Sequence, residues 1–221
     1  MIRPGFGSWS FLLSLVFIAA SQTGCVGLRG LAYLMQPRQV QKPEVDLSGR
    51  VAIVIDYARA NHANPVFETT FHKRVVELLR ENKVKAEILA YDEIDRLRQS
   101  HSDFASWSVQ KIGRELNADQ VLYVRIEELR LAQKNNPLLI PSVALRLKLI
   151  APRAPAANAR LWPDADRERD GREVTCKRQP GENEGAERVD SETAKLARET
   201  AYYVARNFYE YDLEIQPPRE P

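Results

Sequence analysis

The chain has 221 residues, and its 32 Lys and Arg stand against 30 Asp and Glu, so its formal net charge is only +2. A nearly balanced charge gives no sign of the basic surface that nucleic acid requires, and no nucleic-acid partner is predicted. The length fits one domain, which at this size folds without disulfide bonds.

Residues 1–24 have the features of a secretory signal peptide. Arg3 is the only charge before an apolar run that ends at Ala20. This run of about a dozen residues is too short to span a membrane, which takes about 20. The run leads to the sequence QTGC, and Cys25 is one of two cysteines in the chain.

The QTGC sequence resembles the lipobox of bacterial lipoproteins, with Gln22 where that family usually has Leu. The resemblance implies cleavage before Cys25, a diacylglycerol on its thiol and a fatty acid such as palmitate on its amine. Val26, where an Asp would imply retention, implies an outer-membrane location that faces the periplasm. An ordinary secreted protein with an incidental cysteine and an uncleaved anchor remain open alternatives.

The part of the chain after the signal peptide divides into three segments. Residues 25–48 are predicted to be the lipid anchor and its tether, since Pro37 and Pro43 interrupt a segment without periodicity. Residues 49–211 are predicted to form a single domain. Residues 212–221 are polar and proline-rich, and they are predicted to be a disordered tail.

The first half of the domain alternates strands with helices. An apolar, β-branched run predicts a buried strand over 50–58, and apolar residues at helical spacing predict a helix after it. A second strand is predicted over 84–91. A short helix begins near Asp92, and a further helix begins at Asp103 as its N-cap.

The second half is richer in strands, predicted over 119–133, 141–152, 160–163 and 172–178. In the second of these, apolar residues alternate with Arg146 and Lys148, which predicts that one sheet face meets solvent. A last helix is predicted over 190–209, with Ser191 as its cap. The order predicts an α/β (α+β) fold in which helices pack on a single mixed β-sheet.

The pattern from Val51 to Trp162 resembles the α/β domain of the curli secretion component and the N-terminal domain of TolB. The matching stretches are VAIVIDYA, VFETTFHKRVVELLREN and RELNADQVLYVRIEELRL, with an LNAD turn at 116–119 and a tryptophan in ARLWP at 159–163. The pore-forming insertions of the curli channel and the propeller of TolB are not evident. The resemblance implies an accessory role in envelope assembly or transport, through binding.

The residues that could carry chemistry do not form a recognisable catalytic or metal motif. His62, His72 and His101 have no converging partners and are expected to be solvated, so no metal and no cofactor is predicted. Cys176 lies in an alternating stretch and is expected to be a packed, unreactive strand cysteine. Asp92 lies in an acidic cluster that favours a helix start.

These features predict a lipid-anchored envelope protein that acts by docking and is not an enzyme. Its candidate docking surfaces are the sheet edge and an apolar loop formed by Pro137, Leu138, Leu139 and Ile140. One alternative is an envelope hydrolase that uses Asp56 or Asp92, since strand-end carboxylates often lie in α/β active sites. Another is a passive structural or wall-binding lipoprotein.

Overall fold

The computed structural model describes residues 39–59, 63–131, 139–178 and 187–213, with side chains from residue 190 onward in the last range. Within this part, the chain from Val40 onward belongs to one compact unit. No helix in these ranges is both long and apolar enough to cross a membrane.

The predicted mixed β-sheet is confirmed. Its strands lie in the order β3-β2-β4-β5, and both β6 and β7 pair with the far side of β5. β2 is parallel to β3 and β4, whereas β5 is antiparallel to its neighbours. A separate ribbon pairs β1 with β8. The strands are β1 Val40–Gln41, β2 Gly49–Tyr57, β3 Ala86–Ile88, β4 Gln120–Arg130, β5 Ser142–Ile150, β6 Arg160–Trp162, β7 Arg172–Lys177 and β8 Tyr211–Asp212.

Four α-helices connect or cover these strands in the described ranges: α1 Pro65–Glu81, α2 Tyr91–Ser100, α3 Val109–Glu115 and α4 Glu187–Ala205. The carboxamide of Asn64 caps α1 and accepts a hydrogen bond from the Phe67 backbone at 2.9 Å. Pro65 occupies the first turn, where its missing N–H costs no hydrogen bond.

Two predicted helix starts are wrong. Asp103 precedes a 3₁₀ turn at Phe104–Ser106, and α3 begins later, after Ser108, whose hydroxyl accepts from the Lys111 backbone at 3.2 Å. The Asp103 carboxylate instead accepts a hydrogen bond from the Trp107 indole at 2.8 Å. Ser191 lies inside α4, because that helix already begins at Glu187.

The helices cover the two sheet faces unequally. α1 and α4 pack on one face and form the larger core, in which Phe67, Leu147 and Leu196 are fully buried. α2 and α3 pack on the other face over β2, around Val54 and Ile112. Over β4 and β5 that second face keeps exposed charged side chains, as the alternation in β5 predicts.

The end of the predicted tether packs against the domain. Arg172 donates to both carboxylate oxygens of Glu44, at 2.8 and 2.6 Å, and the Trp162 indole donates to the same carboxylate at 3.2 Å. Leu47 is buried in the larger core. At the other end β8 includes Asp212, the first residue of the predicted tail. The domain limits themselves stay a prediction.

Candidate functional site

A cleft of about 500 Å³ opens at the carboxyl end of β2. From β2 the chain passes through α1 to β3 on one side, whereas from β4 it continues to β5 on the other side. Open α/β sheets leave a crevice where neighbouring strands send the chain in opposite directions. The side chains that line the cleft include Asp56, Glu68, Arg98, Phe104, Trp107 and Tyr123.

Asp56 presents a fixed carboxylate to the cleft. One of its oxygens accepts from the Tyr57 backbone at 2.9 Å, and the other accepts from the Tyr123 hydroxyl at 2.6 Å. Burial raises the pKa of Tyr123, and the hydrogen bond to Asp56 raises that pKa further. Tyr123 is therefore protonated at neutral pH, where it orients Asp56 as a donor and cannot act as a base.

Glu68 is a nearly fully buried carboxylate on α1, with a side chain only 5% exposed. It pairs with the Arg98 guanidinium at 3.2 Å and accepts from the Tyr91 hydroxyl at 2.9 Å. Burial raises the pKa of Tyr91 to about 12, and Glu68 contributes to that shift. Arg98 also donates to the Ile55 carbonyl at 3.3 Å, so this network joins α1, α2 and β2.

Aromatic side chains form the opposite wall of the cleft. The ring centroids of Trp107 lie 5.7 Å from Phe104 and 4.6 Å from His101. The Arg98 guanidinium lies 5.9 Å from the centre of the Phe104 ring, within range of a cation–π contact. The cleft thus combines an apolar wall with a floor of paired charges, which is typical of a binding pocket.

The structure brings only one of the two predicted strand-end carboxylates into the cleft. Asp56 lines it, whereas Asp92 is exposed in the first turn of α2 and is not part of the lining. Cys25, Pro137 and Leu138 lie outside the described residues. Leu139 and Ile140 belong to the β4–β5 connection, where Ile140 is 50% exposed.

The prediction of solvated histidines is wrong for His72. It lies in α1 and is only 3% exposed, because the helix turns this side chain toward Tyr91, whose ring centroid is 5.6 Å away. Burial lowers the pKa of His72 to about 4, and its Nε2 has no hydrogen-bond partner. His101 is half-buried beside Trp107, and His62 lies outside the described residues.

Cys176 is buried in β7, as predicted. Burial raises the pKa of its thiol to about 12, so the reactive thiolate is suppressed. Within the described ranges, no three His, Cys, Asp or Glu side chains converge in a way that could hold a metal ion.

Sequence reasoning missed most of the cleft residues. Glu68 and His72 are four residues apart, so they share one helical face with the buried Val75. Two polar residues in that apolar stripe were a detectable signal for a buried polar network. Arg98, Trp107 and Tyr123 gave no such signal, because only the tertiary fold brings their elements together.

No family model and no curated protein matches this chain. Among solved structures, it is similar to the PelC dodecamer from Paraburkholderia phytofirmans, with 18% identity and a TM-score of 0.40 over 77% of this chain and 98% of that chain. It is also similar to lipoprotein GNA1162 from Neisseria meningitidis, with 11% identity and a TM-score of 0.38 over 72% of this chain and 99% of that chain.

A match to TolB from Acinetobacter baumannii has 11% identity and a TM-score of 0.25, and covers 76% of this chain but only 31% of that chain. The resemblance to the curli secretion component and to the TolB domain therefore stays a prediction. At these identities and TM-scores, none of the matches transfers an activity or a partner to this chain.

Proposed function

We propose that this chain is a cell-envelope lipoprotein, held in the outer membrane by lipid on Cys25, that assists envelope assembly or transport by docking a protein partner. It acts by binding and not by catalysis. The observation that carries this proposal is the cleft at the carboxyl end of β2, which is preformed, concave and partly aromatic.

The charged groups of the cleft support binding more than chemistry. Asp56 is held by Tyr123, and Glu68 is held by Arg98 and Tyr91. Groups paired in this way fix the shape of a pocket, and they are already engaged with one another. Two carboxylates against one guanidinium leave the lining acidic, which suits a basic side chain of the partner.

The predicted apolar loop provides a second contact for the same partner. The β4–β5 connection leaves the sheet at the edge where β2 and its parallel neighbour β4 end, which is also the edge of the cleft. Ile140 is half exposed there. An apolar side chain beside an acidic pocket fits the usual pattern of a buried anchor next to polar contacts.

The hydrolase alternative has one observation in its favour, since Asp56 does lie in the cleft. The two accounts differ in what abolishes function. A hydrolase depends on the Asp56 carboxylate itself, whereas docking depends on access to the pocket. No feature of the described residues favours the passive wall-binding alternative.

Ala105→Trp tests the docking account, because Ala105 is exposed at the cleft and a tryptophan there blocks access without touching Asp56. The matched control is Ala157→Trp, since Ala157 is an exposed alanine at the middle of another 3₁₀ turn, Ala156–Asn158. The readout is the restoration of envelope export and permeability in a deletion strain, with localisation checked by fractionation.

We expect Ala157→Trp to restore function and Ala105→Trp to fail, although both variants remain in the membrane fraction. Full restoration by Ala105→Trp, or a deletion strain with normal export and permeability, would contradict the proposal. Loss of function in Asp56→Asn alone, with Ala105→Trp active, would favour the hydrolase.

A further inference from the structure

We propose that the solvent-facing side of β4, β5 and β6 carries a second site, which binds a phosphate group between Lys148 and Arg160. The site is separate from the docking cleft and goes beyond the proposed function. It rests on the arrangement of charged side chains where no helix of the smaller core contributes.

Two adjoining grooves meet at Lys148. One groove, of about 380 Å³, is lined by Tyr123, Arg125, Glu127, Arg146, Lys148 and Asp170. The other groove, of about 290 Å³, has Lys148 and Arg160 in its lining together with Ser108 and Gln110. Lys148 therefore lies at the centre of a continuous depression with cations on both sides.

The strand register places like charges directly opposite each other. Arg125 on β4 is the Cα partner of Arg146 on β5, in an antiparallel pair. Like charges in this position destabilise a sheet unless something compensates them. Glu127 compensates part of the repulsion, since its carboxylate lies 3.5 Å from Arg125 and 3.9 Å from Arg146.

Lys148 and Arg160 have no such compensation among the described residues, where neither has a carboxylate within ion-pair distance. Arg160 donates through both terminal nitrogens to the backbone carbonyls of Glu168 and Arg169, and its buried Nε has no hydrogen-bond partner. Two cations and one vacant N–H donor thus border the depression. Asp170 is the acidic side chain that borders it beside Lys148.

The protonation of Lys148 reports the positive field at this place. Burial lowers its pKa, and Arg160, Arg125 and Arg146 lower it further, while Asp170 opposes the shift. A bound anion would replace water next to the ammonium and would raise the pKa again. A phosphate group suits the site, because its several acceptor oxygens can take hydrogen bonds from an ammonium and a guanidinium together.

The first test is a calorimetric titration of the full-length protein with inorganic phosphate. Lys148→Gln removes the central charge, and Lys148→Arg keeps it. Lys177→Gln is the matched control, because Lys177 is exposed on β7 and lies two strand repeats from Glu173, which reaches Arg146 on this same face.

We expect saturable binding that weakens at least fivefold in Lys148→Gln, recovers in Lys148→Arg and changes less than twofold in Lys177→Gln. The Lys148 pKa, followed by NMR in the wild-type protein, should rise when phosphate is added. Absence of saturable binding, equal losses in the two glutamine variants, or an unchanged Lys148 pKa would each overturn the proposal.

A second titration identifies the source of the phosphate group. It uses a short-chain phosphatidylglycerol below its micelle concentration. Tighter binding of this lipid than of inorganic phosphate, again lost in Lys148→Gln, would support the site and assign it to a phospholipid headgroup. Weaker binding of the lipid would support the site and assign it to a soluble phosphate-bearing molecule.

Discussion

Glu68 shows what a single buried charge does in this fold. Its carboxylate is hydrogen-bonded to Tyr91 and paired with Arg98, so three secondary-structure elements depend on one side chain of α1. A buried charge is tolerated only when it has such partners. Asp56, by contrast, is exposed and owes its orientation to Tyr123.

His72 makes the stability of the protein dependent on pH. Its folded pKa is about 4 against an ordinary value of 6.5. Above pH 6.5 both states are neutral, but between 6.5 and 4 only the unfolded state takes up the proton, so stability falls as the pH falls. At pH 5 this single group costs about 2 kcal/mol of unfolding free energy relative to pH 7.

The variant His72→Phe isolates this contribution. Urea unfolding at pH 7 and pH 5 should show a smaller loss of stability in the variant, by about 2 kcal/mol. Circular dichroism at pH 7 checks that the variant is folded. An identical loss in both proteins would show that His72 does not titrate between the two states.

At the scale of elements, the periodic segments were predictable and their ends were not. β2 and α1 were predicted because β-branched runs and helical spacing are local signals. The strand predicted over 84–91 is reduced to Ala86–Ile88, since β2 offers it a partner for only three residues. Asp103 was a plausible cap by type, but the Trp107 indole occupies its carboxylate.

The contact between Glu44 and Arg172 fixes the segment that enters the domain. Glu44→Ala removes the acceptor of both Arg172 and Trp162, so we expect faster hydrogen exchange over residues 40–47, with no change in α1. Glu168→Gln is the matched control, since Glu168 is the other carboxylate partner of Arg172, at 2.9 Å. Equal exchange over 40–47 in wild type and Glu44→Ala would contradict this role.

At the scale of the whole molecule, the fold class was accessible from the sequence and the cleft was not. The alternation of strands and helices predicts a mixed sheet without any knowledge of contacts. The cleft, however, is assembled from β2, α1, α2, the turn at Phe104 and β4. Only Asp56 could be placed there in advance, because strand ends collect at one edge of a sheet.

The packing of residues 40–48 also changes the proposed tether. With lipid on Cys25, the part of the predicted tether that remains before β1 is residues 25–39. Fully extended, that length of chain reaches about 50 Å. The partner of the proposed docking cleft must then lie within that distance of the membrane, plus the width of the domain.

The central claim is that the domain is anchored by lipid on Cys25, and the intact mass of its N-terminal peptide tests this most directly. The protein from the membrane fraction should give a peptide that begins at Cys25 and carries the mass of a diacylglycerol and a fatty acid. In Cys25→Ala that peptide should be absent, and the protein should leave the membrane fraction. An unmodified N-terminus on a soluble protein would contradict the account.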